Sequence, residues 1–324
     1  MAKTIQHIRA LLRRIPARQI ACTAPIVLVG YWVVLHWPLI ASGGRQLLDA
    51  NRVWLVAAMV ATGLGWVAVS LMRQGVVLER LPAGRLLATQ FAAGAANHLL
   101  PAGIGASAVN LRFMRACGLP PARSAAAIAL YFLAECVGRG ALLVLLIAVF
   151  PHALRLHGLL PNGISFSMGT TAAVIAAVCA AAVTGLLAVR KVRTAIRSFL
   201  ATALTDARTL HARPSRALAL WAGALAFPAL QAAGLVAVSM ALAMPVPIGH
   251  VAVAYVAASI AAAALPTPGG LGSVDAALVF ALVASGASVA AATSVVLGFR
   301  IVTVWLPLIP GALTLGALVR WKVV

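Results

Sequence analysis

Of 324 residues, 63% are hydrophobic and only 9% are charged, which excludes an ordinary soluble domain and predicts a single all-α polytopic membrane domain over residues 1–324. The net charge of +20 comes from 25 Lys and Arg against five acids. In so apolar a chain this excess reflects the positive-inside bias and attraction to anionic lipid, and no nucleic-acid recognition motif accompanies it.

The first predicted element is a basic amphipathic helix over residues 1–19. Ile5, Ile8, Leu12 and Ile15 recur at helical spacing while Arg9, Arg13, Arg14 and Arg18 occupy other positions, a pattern expected to lie on the cytoplasmic leaflet. Six uninterrupted apolar runs follow, at 20–40, 53–72, 124–150, 166–189, 217–244 and 288–318, each long enough to cross a bilayer. The first is read as a retained span rather than a cleaved leader. Two further segments are broken. Residues 86–117 are interrupted at Leu100-Pro-Ala-Gly-Ile-Gly105, and residues 249–287 at Leu265-Pro-Thr-Pro-Gly-Gly-Leu-Gly-Ser-Val-Asp275. Proline removes backbone donors and glycine permits positive φ, so neither helix continues through its break. At membrane depth such backbone must be satisfied by protein or must line a cavity.

Counting basic residues decides whether the broken segments cross. If both cross, 11 Lys and Arg fall inside and 12 outside, which is no bias. If both are re-entrant hairpins, 20 fall inside and 3 outside (Arg45, Arg52 and Arg155), with Arg139 and Arg300 within the membrane. The expected architecture is therefore six transmembrane helices plus two re-entrant helical hairpins, with both termini cytoplasmic. The first half, 53–150, carries the hairpin 86–117, which enters from the cytoplasmic side. The second half, 166–319, carries the hairpin 249–287, which enters from the opposite side. The pairs Gly105/Gly272 and Gly118/Gly286 mark the two halves as an inverted repeat, an architecture that recurs in transporters.

The site is expected where the hairpins meet. Each second arm would start a helix near the midplane, with Ser107 and Ser273 as expected N-caps beside Gly105, Gly270 and Gly272. Helix N-termini expose N–H groups and a positive dipole end, so two of them converging make an anion site. Asp275 reads either as a capping carboxylate or as a gate and partner for Arg300. Arg300 lies about 12 residues into the last span, ~18 Å along it at helical rise. At that depth it needs a partner: a substrate phosphate, Glu135 or Asp275. Glu135 and Arg139 are four apart in the order that favours an intrahelical pair. Arg112 and Arg115 share a face of the first hairpin's outgoing arm and either snorkel to headgroups or draw one in. Asn97 and His98 precede the first break as uncharged hydrogen-bonding groups, His98 being a candidate proton carrier. The four cysteines, Cys22, Cys117, Cys136 and Cys179, stand singly without ligand spacing, and no catalytic, metal or nucleotide motif is present. No cofactor is expected, and the chain is expected not to be an enzyme.

Two blocks carry a family resemblance: Asn97-His-Leu-Leu-Pro-Ala-Gly-Ile-Gly105 followed by Arg112, and Pro266-Thr-Pro-Gly-Gly-Leu-Gly-Ser-Val-Asp275 followed by Gly286, Arg300, Leu306-Pro307 and Gly311. Through them the chain resembles the integral-membrane domain of lysylphosphatidylglycerol synthase/flippases, the bacterial multiple peptide resistance factors. It also resembles their stand-alone relatives, among them hopanoid-associated membrane proteins and archaeal proteins once called dolichol-phosphate-glucose synthetase-like. The resemblance covers most of the chain. It departs at Gly105-Ala106, where that family usually has Gly-Glu, and at Asp275, where it usually has Glu. The soluble aminoacyl-transferase domain is not expected here, nor is lipid aminoacylation.

Together these readings point to a lipid flippase of the bacterial inner membrane that moves an anionic phospholipid or a lipid-linked phosphate carrier. Its expected partners are membrane lipids with anionic headgroups, and a homo-oligomer is compatible with the sequence. The alternatives are an accessory subunit or intramembrane enzyme of lipid, polyprenol glycosyl-transfer or hopanoid pathways, and a proton-coupled small-solute transporter.

Overall fold

The computed structural model describes residues 47–99, 104–154, 212–263 and 272–320, together with Val34 and Thr209. The amphipathic helix at 1–19, the spans at 20–40 and 166–189, most of the basic stretch 190–216, and both break tips, with Gly270, lie outside the described residues.

Every regular element among the described residues is helical. In chain order these are α1 (Arg52–Gly75), α2 (Ala83–Leu99), α3 (Ile104–Ala116), α4 (Pro121–Val149), α5 (Pro214–Ala241), α6 (Ile248–Ala263), α7 (Ser273–Ala284), α8 (Val289–Arg300) and α9 (Leu306–Arg320). A single 3₁₀ turn, Pro151–Leu154, follows α4, and a π-helical turn, Ile301–Trp305, joins α8 to α9. Among the described residues, four stretches are long and apolar enough to cross a membrane: Arg52–Gly75, Pro121–Val149, Pro214–Ala241 and the continuous run Val289–Arg320. They coincide with the runs expected at 53–72, 124–150, 217–244 and 288–318. The two broken segments appear as the short pairs α2/α3 and α6/α7, whose members pack against each other.

Local signals explain where the helices begin and end. The Asn51 side chain accepts the Val53 N–H at 3.0 Å and Ser288 accepts the Ala291 N–H at 3.2 Å, each satisfying a first-turn donor. Pro121 and Pro214 open α4 and α5, where a missing N–H costs nothing. The outgoing arm of each short pair stops at a glycine in the left-handed region, Gly118 (φ 90°) after α3 and Gly286 (φ 101°) after α7. At both stops the next amide bonds five residues back, Leu119 to the Met114 carbonyl and Ala287 to the Leu282 carbonyl, each at 3.1 Å.

α5 is the central strut. It runs antiparallel to α1: the Asn51 N–H donates to the Ala241 carbonyl at one end (3.0 Å), and at the other Arg216 donates to the carbonyls of Gln74 (2.9 Å) and Leu78 (3.0 Å). Glycine makes the approach close. A Cβ on Gly75 would lie 2.5 Å from the Leu220 nitrogen, and one on Gly223 would lie 2.7 Å from the Ala68 carbonyl oxygen. On the other flank of α5, a Cβ on Gly138 of α4 would lie 2.3 Å from the Ala224 carbonyl oxygen. Small residues at helix contacts are the usual route to tight packing where lipid supplies no hydrophobic contrast.

The interior divides into two apolar clusters. One gathers the carboxyl-terminal part of α1, the amino-terminal parts of α4 and α5, and α9 around α2/α3, with Phe113, Met72 and Leu220 fully buried. The other gathers the opposite ends of α1, α4 and α5, together with α8, around α6/α7, with Leu278, Leu282 and Val251 fully buried. The two short pairs therefore occupy opposite ends of the same three long helices.

Gly223→Leu is expected to cost about 1–3 kcal/mol through overpacking, lowering the melting temperature of the detergent-purified protein. Gly63→Ala and Gly140→Ala, whose added Cβ meets no described atom within 4 Å, are the controls and should not lower it, since alanine favours a helix interior over glycine.

Candidate functional site

Arg300 ends α8 inside the bundle, with 8% of its surface exposed. Its Nε donates to Asp275 Oδ1, and the other carboxylate oxygen accepts the Gly272 N–H at 3.0 Å. Asp275 thus fills both roles open at the sequence level: it caps α7 from the third helical position and it neutralises Arg300. Of the partners expected for Arg300, the structure supplies Asp275.

The N-cap of α7 is Gly272, not Ser273 as expected. The turn needs φ +88° there, which glycine adopts without strain and serine does not. Ser273 is the first helical residue. Ser107 is likewise no N-cap: α3 begins at Ile104 and Ser107 lies in its first turn. Gly105 is buried because a Cβ there would lie 2.0 Å from the Ala96 carbonyl oxygen, so α3 starts in backbone contact with the end of α2.

That contact places His98, in the last turn of α2, within the fields of both Arg300 and Asp275. Its Nδ1 is buried without a hydrogen-bond partner. The amino end of α7 thus meets the arginine of α8 through Asp275, and the carboxyl end of α2 brings His98 within electrostatic range of that pair. The backbone changes period at this point. The π turn begins directly after Arg300, as happens at many functional sites. Pro307 and Pro310, which have no N–H to donate, follow within α9.

A second set of charges runs along α4. Arg139 Nη2 donates to Glu135 Oε1 at 2.7 Å, the expected pair. One turn earlier, Tyr131 lies beneath Arg73, whose guanidinium carbon is 3.4 Å from the ring centroid. Tyr255 of α6 feels the charges of Arg139 and Arg300 and packs edge-on against Phe299 (5.7 Å, 71°), linking the two sets. Of the remaining expected residues, Asn97 is partly buried beside His98, while Arg112 and Arg115 are exposed on α3 and form no ion pair among the described residues.

Sequence reasoning missed three features. Arg73, one residue beyond the apolar run 53–72 and so among the 20 basic residues expected on the inner side, is 5% exposed in the last turn of α1. Tyr131 completes an i, i+4, i+8 stripe with Glu135 and Arg139, a signal present in the sequence. Gln90 and Asn110 pair across α2/α3 at 3.0 Å, both buried, and tie the arms by a side-chain hydrogen bond. No three-residue His, Cys, Asp or Glu group capable of holding a metal ion occurs among the described residues.

Asp275→Ala strands a buried guanidinium and is expected to cost about 3–5 kcal/mol. Glu79→Ala removes the exposed Arg123–Glu79 pair (3.2 Å) and should cost no more than about 1 kcal/mol. Thermal unfolding of both variants checks this contrast. The neutral double variant Asp275→Asn/Arg300→Gln should unfold above Asp275→Ala, because it leaves no unpaired charge.

None of the curated proteins compared matches the chain. The family model described as the lysylphosphatidylglycerol synthase TM region matches residues 22–311. With four stretches long and apolar enough to span, this multi-pass helical membrane protein belongs to the lysylphosphatidylglycerol synthase transmembrane-region family, a family associated with membrane lipids.

Proposed function

We propose that this protein translocates an anionic phospholipid, or a lipid-linked phosphate carrier, across the bacterial inner membrane. The observation that carries the reading is the Arg300–Asp275 pair at the α7 N-terminus, with His98 within its electrostatic range. In this reading α2/α3 and α6/α7 are re-entrant hairpins of an inverted repeat. They enter from opposite membrane faces and are framed by six spans, with both termini cytoplasmic. Two observations support it: the packing of the pairs at opposite ends of α1, α4 and α5, and their equivalent glycine stops.

The proposed mechanism is an exchange of anions on one cation. At rest Asp275 neutralises Arg300. A headgroup phosphate arriving at the hairpin tips replaces it, because a guanidinium presents several donors in one plane and accepts two oxygens as readily as one. The displaced carboxylate keeps its hydrogen bond from the Gly272 amide and stays in the favourable field of the α7 N-terminus. The headgroup crosses the midplane without either charge standing bare, while the acyl chains remain in lipid. No metal, nucleotide or covalent step is involved, and the protein acts as a transporter rather than an enzyme. The substrate-binding set is His98, Asn97, Ser107, Ser273, Asp275 and Arg300, with Arg112 and Arg115 gathering headgroups at the cytoplasmic surface. Glu135 and Arg139 hold α4 beside this set.

The test is translocation in proteoliposomes of fluorescent phosphatidylglycerol, polyprenyl phosphate and phosphatidylcholine. Wild type should move an anionic lipid faster than the zwitterionic one, and Arg300→Ala should slow it at least roughly tenfold. A dependence on pH gradient that disappears in His98→Gln would assign His98 as the proton carrier. No transfer of any anionic lipid, or an Arg300→Ala rate equal to wild type, defeats the proposal.

A further inference from the structure

We propose a second oxyanion subsite, separate from Arg300, built on Arg73 and Tyr131, that takes the phosphate group of a phosphomonoester or phosphodiester.

Arg73 is buried to 5% exposure, and its Nε and Nη1 are enclosed yet have no hydrogen-bond partner. The face of its guanidinium rests on the Tyr131 ring, 3.4 Å from the centroid. A cation–π contact uses the face of the guanidinium and leaves Nε and Nη1 without an acceptor among the described residues. Two enclosed cationic donors without acceptors define what is missing: anionic oxygens, such as those of a phosphate, to receive their hydrogen bonds.

Charge counting within the cluster points the same way. Glu135, the nearest acid, is already paired with Arg139 at 2.7 Å. Arg73 takes part in none of the ion pairs among the described residues. Two guanidinium groups share one carboxylate, and a buried cluster with a net charge of one proton's worth favours an anion. The carboxyl end of α1 offsets part of that charge, but neither bare nitrogen finds a carbonyl there.

Position suggests how the subsite is used. Tyr131 stands ten residues into α4 from Pro121, ~15 Å along it, and Glu135 and Arg139 follow at one-turn steps. Tyr255 then leads to Arg300. An anion held at Arg73 sits between the end carrying Arg123, Arg213 and Arg216 and the Arg300–Asp275 pair. The choice of ligand rests on the lipid-translocation reading, whereas the existence of the subsite rests only on the Arg73 geometry.

The experiment uses the full-length protein in detergent, in the neutral background Asp275→Asn/Arg300→Gln, so that the Arg300 site does not contribute. Thermal unfolding is titrated with dioctanoyl phosphatidylglycerol, inorganic phosphate and dioctanoylglycerol. The expected result is a saturable rise in melting temperature with phosphatidylglycerol and none with dioctanoylglycerol. Arg73→Met should abolish that rise, and Arg73→Lys, which keeps the charge but loses the separately directed guanidinium donors, should weaken the apparent affinity roughly tenfold. A rise with inorganic phosphate as well identifies free phosphate as a ligand; a rise with the lipid alone identifies the headgroup. If Arg73→Met does not fold, Arg73→Lys decides. No anion-dependent rise in this background, or an Arg73→Lys titration that overlays its parent, overturns the subsite. Because transport is not measured, loss of the translocation reading would leave this result standing, and the reverse.

Discussion

An arginine in an apolar interior has to find an opposite charge or water, and the arrangement around Arg300 follows from that requirement. Its partner Asp275 lies in the first turn of a helix that begins at a left-handed glycine, so the carboxylate is held by the Gly272 amide while it meets the guanidinium. Fixing that carboxylate fixes the start of α7. Fixing α8 against it then sets the place where the chain changes to a π turn before its two prolines. Because α6/α7 packs at one end of α1, α4 and α5 and α2/α3 at the other, the described bundle has two halves, and the ion pair stands at the start of α7.

What joins the halves is close packing without bulk. α5 can serve both apolar clusters because glycines at 75, 138 and 223 bring α1 and α4 within backbone distance of it. The first short pair is closed by the same means, with Gly105 against the Ala96 carbonyl, and is fastened by Gln90 and Asn110. At the basic end, Arg216 bonds the carbonyls that α1 and the following turn leave unpaired. A guanidinium can satisfy several acceptors at once, so one side chain secures two helix ends.

The chemistry we propose for this arrangement is the handling of anions inside an apolar body. Arg300 is neutralised by a carboxylate that has a second anchor, which makes exchange for another oxyanion inexpensive. Arg73 is covered on its face and bare at its edge. Glu135 and Arg139 stand between them on α4. The three arginines, on α1, α4 and α8, are each compensated to a different degree, which is what the proposed passage of a phosphate would use.

Hydropathy and helix-breaking chemistry alone determined the membrane class, the apolar runs that form the four long described helices, and the two broken segments, because these depend on runs of residues and on backbone freedom at single positions. The Glu135–Arg139 pair was legible for the same reason: its partners are one turn apart on one helix. The Asp275–Arg300 partnership could only be narrowed to alternatives, since nothing in a linear order says which of two acids a distant helix will present. The N-cap of α7 was misassigned by one residue because serine's capping preference yielded to a φ that only glycine supplies. Arg73 was counted among the basic residues of the inner side because it follows the last apolar residue of its run, yet the side chain folds into the bundle onto a ring on another helix. Which short pair occupies which end of the bundle, which arginine is paired and which is bare, and that Asp275 of α7 meets the Arg300 guanidinium with His98 of α2 in electrostatic range, were decided by tertiary structure. Each is a relation between helices set by glycine-scale packing, and packing acts across space rather than along the chain.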